Sequence, residues 1–138
     1  MDKKETIQRL NNHPLPFFED MGGKTTDADP ELGTCVMEFD ISEFYCHSGD
    51  IVQGGFVTAM LDLVTSHAVF ATDPLIVGLS TLELKVSFYA ASRAGKFRAF
   101  GKIEKKGKSI VFLSGDLYNE SGERTASITS TSKFYIKK

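Results

Sequence analysis

The stretch that most constrains this chain runs from residue 46 to residue 72 and reads Cys-His-Ser-Gly-Asp-Ile-Val-Gln-Gly-Gly-Phe-Val-Thr-Ala-Met-Leu-Asp-Leu-Val-Thr-Ser-His-Ala-Val-Phe-Ala-Thr. From Gly54 onward nearly every residue is apolar or small, with one acid, Asp62, in the middle. Phe56, Ala59, Met60, Leu63, His67 and Phe70 recur at helical spacing. Val57, Leu61, Val64, Ala68 and Val69 fill the other side, so a helix over 54–72 is apolar almost all round and belongs inside a protein. It ends at Asp73-Pro74, because proline lacks an N–H and restricts the residue before it. The polar residues along it make it a core helix rather than a membrane span.

The rest of the chain has to cover that helix. An N-terminal helical segment, residues 1–13, carries Ile7 and Leu10 and is stopped by His13-Pro14, after which Leu15, Phe17 and Phe18 are expected to tuck onto the core. An extended stretch or bulge begins at Met21-Gly22-Gly23, and Asp27 to Gly33, with Pro30, reads as a turn. Thr34 to Ile41 alternates Cys35, Met37, Phe39 and Ile41 against Val36, Glu38 and Asp40, which is a strand. Residues 42–53 read as a loop. Beyond Pro74 four extended segments follow, at 76–91, 96–105, 109–119 and 123–136. The first alternates Leu82, Leu84, Val86 and Phe88 with Thr81, Glu83, Lys85 and Ser87, and the short links predict an antiparallel meander. The sum is one α+β domain over residues 1–138, a five- to six-stranded antiparallel sheet wrapped around one long central helix.

Charge and cysteine content narrow the function classes. A net charge of −2 with no basic stripe gives no reason to expect a nucleic-acid partner. Two cysteines, Cys35 and Cys46, with no Cys/His ligand spacing make neither a disulfide framework nor a zinc site. The start, Met-Asp-Lys-Lys-Glu, lacks the apolar core of a signal peptide, so a cytoplasmic, reducing setting without membrane attachment is the expectation.

The curled sheet around one helix is the hotdog fold, and the stretch His47-Ser48-Gly49-Asp50-Ile51-Val52-Gln53-Gly54-Gly55, followed by Leu61-Asp62, resembles the hotdog acyl-CoA thioesterases of the phenylacetate-degradation (PaaI-like) group. The pattern there is Asn-x-x-Gly-x-x-His-Gly-Gly, an acid nine residues after the His, and a Ser or Thr heading the next strand. Here that last motif is Thr81-Leu82-Glu83-Leu84-Lys85-Val86-Ser87-Phe88. Gln53 stands where His is usual, and His47 and Asp50 stand where Asn and Gly are usual. The likeness spans roughly residues 14–136, its specific part 47–88.

The resemblance implies hydrolysis of an acyl-CoA, with coenzyme A as part of the substrate and no metal or redox cofactor. The first helical N–H groups lack internal partners and sit at the positive end of the helix dipole. With no side chain at Gly54 and Gly55, a thioester oxygen can approach them, and the family uses the first of the two. Gln53 either orients the thioester or caps the helix. Asp62 is the candidate base or nucleophile; its bland reading is a buried acid bonded to a hydroxyl such as Thr65 or Ser66. Thr81 would hold the water or steady Asp62, and Ser80 would do so if the strand register differs by one. Phe56 and Phe88 offer an apolar acyl wall with Met60. His47 is a substrate contact or a loop histidine, and Arg93, near Lys96, meets coenzyme A phosphates or sits in a solvated turn.

On ideal helix geometry Gln53 and Asp62 lie about 13.5 Å apart along the axis and about 180° around it, so one chain cannot bring both to one thioester. A two-fold partner with an antiparallel helix can. If the two residues work together, the spacing therefore predicts a dimer with sites at its interface, in agreement with what the resemblance implies, a homodimer or a dimer of dimers. Two other readings remain: a non-catalytic acyl-CoA binding or sensing module, and a hotdog dehydratase, which Gln53 in place of His disfavours.

Overall fold

A computed structural model describes residues 1–12 and 15–138. The expected helix stop at His13-Pro14 lies outside the described residues. Helix α1 (Lys3–Asn11) is capped by Asp2, whose carboxylate accepts the Glu5 N–H at 2.8 Å. Helix α2 (Pro16–Asp20) starts on a proline, which is well placed at a first helical position. Of the residues expected to tuck in here, Phe18 is buried and Leu15 packs on the core. Phe17 instead points outward, because a single short helical turn presents only one of two adjacent rings to the interior.

Strand β1 (Lys24–Asp29) claims residues expected in a turn. Its register slips between Thr25 and Asp27, and this bulge lets both Thr25 and Ala28 face inward. The turn is therefore confined to residues 30–33, where the Asp29 carboxylate accepts the Glu31 and Leu32 N–H groups. Strand β2 (Thr34–Ile41) has the bounds its alternation predicts, with Cys35, Met37, Phe39 and Ile41 buried. The expected loop over 42–53 holds a 3-10 turn (Glu43–Tyr45) and a small hairpin of β3 (Cys46–Ser48) and β4 (Ile51–Val52), folded at Gly49 with φ 56°.

Helix α3 (Gly54–Thr72) spans the predicted residues and has buried side chains around most of its circumference. It is long and apolar enough to cross a membrane by composition, but the sheet wraps it and makes it the core helix. Four strands follow: β5 (Ile76–Phe88), β6 (Gly95–Lys106), β7 (Ile110–Asn119) and β8 (Arg124–Ile136). All six long strands form one antiparallel sheet in the order β1-β2-β6-β7-β8-β5.

That order corrects the four-strand meander. Only β6, β7 and β8 meander, whereas β5 lies at the far edge, paired with β8. The β5–β6 link is held elsewhere: Val52 N–H donates to Ser92 O (2.8 Å), and Ala94 N–H donates to Asp50 O (2.7 Å). It therefore runs alongside the β3–β4 hairpin instead of turning back. With β2 and β7 on either side of β6, the free edge of β8 is the place left for β5.

α3 descends onto the sheet where Gly101 of β6 and Gly115 of β7 are register partners. A Cβ on Gly101 would lie 2.6 Å from the Val64 carbonyl oxygen, and one on Gly115 would lie 3.1 Å from the Thr65 methyl. This pair of bare backbones lets the helix sit deep enough to bury Met60, Leu61, Val64 and Ala68 completely.

Candidate active site

The site is built on the exposed side of α3 and the inner face of β5. Gln53 precedes the helix with extended geometry (φ −58°, ψ 135°), and its side chain makes no capping bond. Its carbonyl accepts the N–H groups of both Phe56 (2.9 Å) and Val57 (3.2 Å), so the helical ladder begins there. Gly54 and Gly55 N–H lie ahead of that ladder, at the positive end of the helix dipole. A Cβ on Gly55 would meet nothing within 4 Å, and one on Gly54 would touch only the Phe88 ring, at 3.4 Å. The backbone at this helix start is thus open to an incoming carbonyl oxygen, with Phe88 beside it.

Two turns further on, Asp62 is half-buried, and its Oδ1 accepts the Thr81 hydroxyl at 3.0 Å. Burial pushes its carboxyl above the ordinary value, and the Thr81 bond partly offsets that rise. Thr65 does not bond that carboxylate; its hydroxyl donates to the backbone carbonyls of Leu61 and Asp62.

Why Thr81 and not Ser80 meets Asp62 follows from β5. The β5–β8 register is Ser80 with Lys133, Thr81 with Ser132, then Glu83 with Thr131, which leaves Leu82 as a bulge. Ser132, Ser130, Ile128 and Ala126 are all buried, so their partners Thr81, Leu84, Val86 and Phe88 share the inward face. Strict alternation would put Thr81 on the face opposite Phe88; the extra residue at Leu82 reverses that and turns Ser80 outward.

The structure brings Asp62 to Thr81 and Gly54 to Phe88, but it holds the two pairs apart. Gly54 and Asp62 are about 12 Å apart along the helix axis. Arg93 lies in the β5–β6 link and donates to the Asp50 carboxylate at 2.7 Å, a partly exposed ion pair fastening the β3–β4 hairpin. His47 is exposed on β3, with Nδ1 2.9 Å from the Ser48 hydroxyl. His67 is a core residue that contacts the Leu63 carbonyl and stacks on Phe18. Among the described residues no His, Cys, Asp and Glu side chains gather as a metal-ligand set. A groove of about 990 Å³ opens on the outer sheet face among Lys24, Glu38, Lys96, Arg98 and Phe100, and neither Gly54 nor Asp62 lines it.

Sequence reasoning passed over Tyr45. Its carbonyl accepts the Gln53 N–H at 2.9 Å, its ring meets Phe56 edge to face at 4.8 Å, and its hydroxyl donates to Asp20. The bond to Asp20, with burial and the Asp20 charge, raises the phenol to about 12. No local pattern marks this residue, since its partners come from α2 and α3.

A six-stranded antiparallel sheet curled around one buried helix, with bare glycines at the helix start and an acid held by a strand hydroxyl, defines a hotdog protein of the hydrolytic kind. A family model described as the thioesterase superfamily matches residues 49–126, more than half of the chain, and the chain belongs to that superfamily. The sequence is 29% identical to a thioesterase-type, phenylacetic acid degradation-related protein from Ralstonia eutropha JMP134; the alignment covers 93% of this chain and 98% of that one, with a TM-score of 0.84. The E. coli PaaI protein of the phenylacetic acid degradation operon shares the fold at 14% identity, with a TM-score of 0.83 over 97% and 96% of the two chains. An esterase-named protein of Saccharolobus solfataricus is 24% identical over 93 residues, 67% of this chain and 66%, just under two thirds, of its own length.

Proposed function

We propose that the chain is an acyl-CoA thioesterase that works as a homodimer, or a dimer of dimers, in the cytoplasm. Each site takes Gly54 N–H and Gln53 from one subunit and Asp62 with Thr81 from the other. The observation that carries this reading is the acid itself. Asp62 is partly desolvated on an otherwise apolar helix, a costly placement that favours a functional role. Among the described residues its Thr81 partner sits on Oδ1, which leaves Oδ2 available to a water or a carbonyl carbon.

The thioester oxygen would rest on the Gly54 N–H, a kind of donor worth about 2.7–4 kcal/mol of transition-state stabilisation. Asp62 as base takes a proton while water oxygen bonds to the carbonyl carbon. Collapse of the tetrahedral intermediate breaks the C–S bond, and the proton passes to the departing thiolate. With Asp62 as nucleophile, its oxygen bonds to the carbonyl carbon and the C–S bond breaks to release the coenzyme A thiolate. Water then cleaves the mixed anhydride to the free acid and regenerates the carboxylate, its other proton passing to the thiolate. Neither route calls for a cofactor. Phe56 and Phe88 would flank the acyl group, and the exposed His47 would contact the substrate.

Support for the second subunit comes from β5. It is a long edge strand with one side unpaired, and its inward-facing Leu84 and Phe88 remain 37% and 54% exposed. Such an edge is a template for pairing with another chain. A two-fold copy there would cover these residues and bring its own helix alongside α3.

The test is a thiol-release assay across short, medium, long and aryl acyl-CoAs. Turnover of at least one class is expected. Tight acyl-CoA binding without any turnover would replace this reading with that of a binding or sensing module.

A further inference from the structure

We propose that Tyr45 is a positioning residue that fixes the Gly54–Gly55 backbone in its carbonyl-receiving geometry, an inference that rests on the thioesterase reading of Gly54. A helix that opens on two glycines has a structural weakness. Its first N–H groups have no helical partners, and glycine has more backbone freedom to lose than any other residue. Left to itself this turn frays, and a frayed donor stabilises no oxyanion, because such donors work by being in place before the charge develops. Something outside the helix has to hold the turn.

Tyr45 grips it on both sides of the glycines. Its carbonyl holds the Gln53 N–H at 2.9 Å, directly before Gly54. Its ring meets the Phe56 ring at 4.8 Å and 82°, directly after Gly55. Edge-to-face geometry is directional as well as apolar, so the contact fixes where Phe56 sits. The clamp is anchored in turn. The Tyr45 hydroxyl bonds Asp20 at the end of α2, its N–H bonds Ser42 O at 3.2 Å, and Phe44 packs edge-on against its ring at 5.3 Å. The Gln53 side chain makes no capping bond and is able to face substrate.

The experiment compares wild type, Tyr45→Phe and Tyr45→Leu, each checked for fold and oligomeric state, with steady-state kinetics on a turned-over thioester and amide hydrogen exchange by NMR. Exchange is read at Phe56 and Val57, whose N–H groups both donate to the Gln53 carbonyl. Tyr45→Leu is expected to lower kcat by about ten- to a hundredfold, up to the scale of a reacting geometry misplaced by about 1 Å, with KM nearly unchanged. Phe56 and Val57 should exchange faster while Val64 to Ala68 keep wild-type rates, and Tyr45→Phe, which retains the ring but loses the Asp20 bond, should recover only part of the lost kcat. A folded Tyr45→Leu protein with wild-type kcat would overturn the proposal, as would faster exchange spread evenly along α3 or a change in KM alone. Should Tyr45→Leu not fold, Asp20→Ala decides: it frees the far end of the ring from the surface, and wild-type kcat together with wild-type exchange at Phe56 would overturn the clamp. A wild type that hydrolyses no thioester would retire the functional reading instead, while the exchange rates still judge whether Tyr45 holds the turn.

Discussion

Asp62 and Gly54 make opposite demands on stability and activity, and single substitutions separate them. Asp62→Asn keeps the shape and the Thr81 partner but removes the ionisable group, so kcat is expected to fall by about 10²–10⁴-fold. The same change should stabilise the protein at neutral pH. Burial raises the Asp62 carboxyl in the folded state, so its ionisation opposes folding. Below its unfolded value, about 3.9, the acid is protonated in both states and the penalty is absent. As pH rises through the unfolded and then the raised folded value, wild type loses stability that the Asn variant keeps. Thermal melts from pH 3 to 8 should show the two converging at the acid end and the variant ahead at the other; a variant less stable at pH 8 would refute the desolvation account. Gly54→Ala is complementary. Its methyl has room against Phe88, and alanine is the better helix former by up to about 1 kcal/mol, so Tm should hold or rise. Activity should nonetheless fall, because the methyl stands where the carbonyl oxygen approaches. Equal activity with higher Tm would remove Gly54 from the site.

At the scale of elements, the contact between α3 and the sheet sets the height of the whole site. Gly101→Ala puts a methyl 2.6 Å from a backbone oxygen of α3, which cannot swing aside as a side chain would. The helix has to lift, and overpacking of this kind costs about 1–3 kcal/mol. Equilibrium denaturation should register that loss, and turnover should drop as Asp62 moves relative to Thr81; unchanged stability would mean that the helix is not seated on this glycine. None of this was legible from periodicity. The bounds of β2 and α3 were, because alternation and an unbroken apolar run are local signals that burial amplifies. Where local signals met long-range constraints they failed. The alternation of β5 assigned Thr81 and Phe88 to opposite faces, and only pairing with β8 exposes the bulge at Leu82 that reunites them. Residues 92–95 looked like a hairpin turn, but Ser92 and Ala94 bond to Val52 and Asp50, and β6 pairs with β2 instead of β5. Resemblance named Gly54, Asp62 and Thr81 as site residues; Tyr45 carries no motif, and its place emerged only once α2, the 3-10 turn and α3 were packed together.

The whole-molecule question is whether one chain makes a site. Gly54 and Asp62 lie about 12 Å apart along a rigid helix, and no side-chain rotation closes that gap. If each site draws Gly54 from one subunit and Asp62 from the other, defects in different residues complement each other when chains are mixed. Gly54→Ala chains and Asp62→Asn chains, each inactive alone, would be combined and allowed to exchange subunits. In every heterodimer one interface then carries both defects and the other carries neither. Random exchange makes half the dimers mixed, each with one intact site of two, so activity should rise from near zero towards about a quarter of wild type. The recovered activity should track the heterodimer fraction, measured by native mass spectrometry on differently tagged chains. Heterodimers present in that fraction with no recovered turnover would place both residues' work within one chain. The exposed face of β5 would then need another explanation than a partner that completes the site.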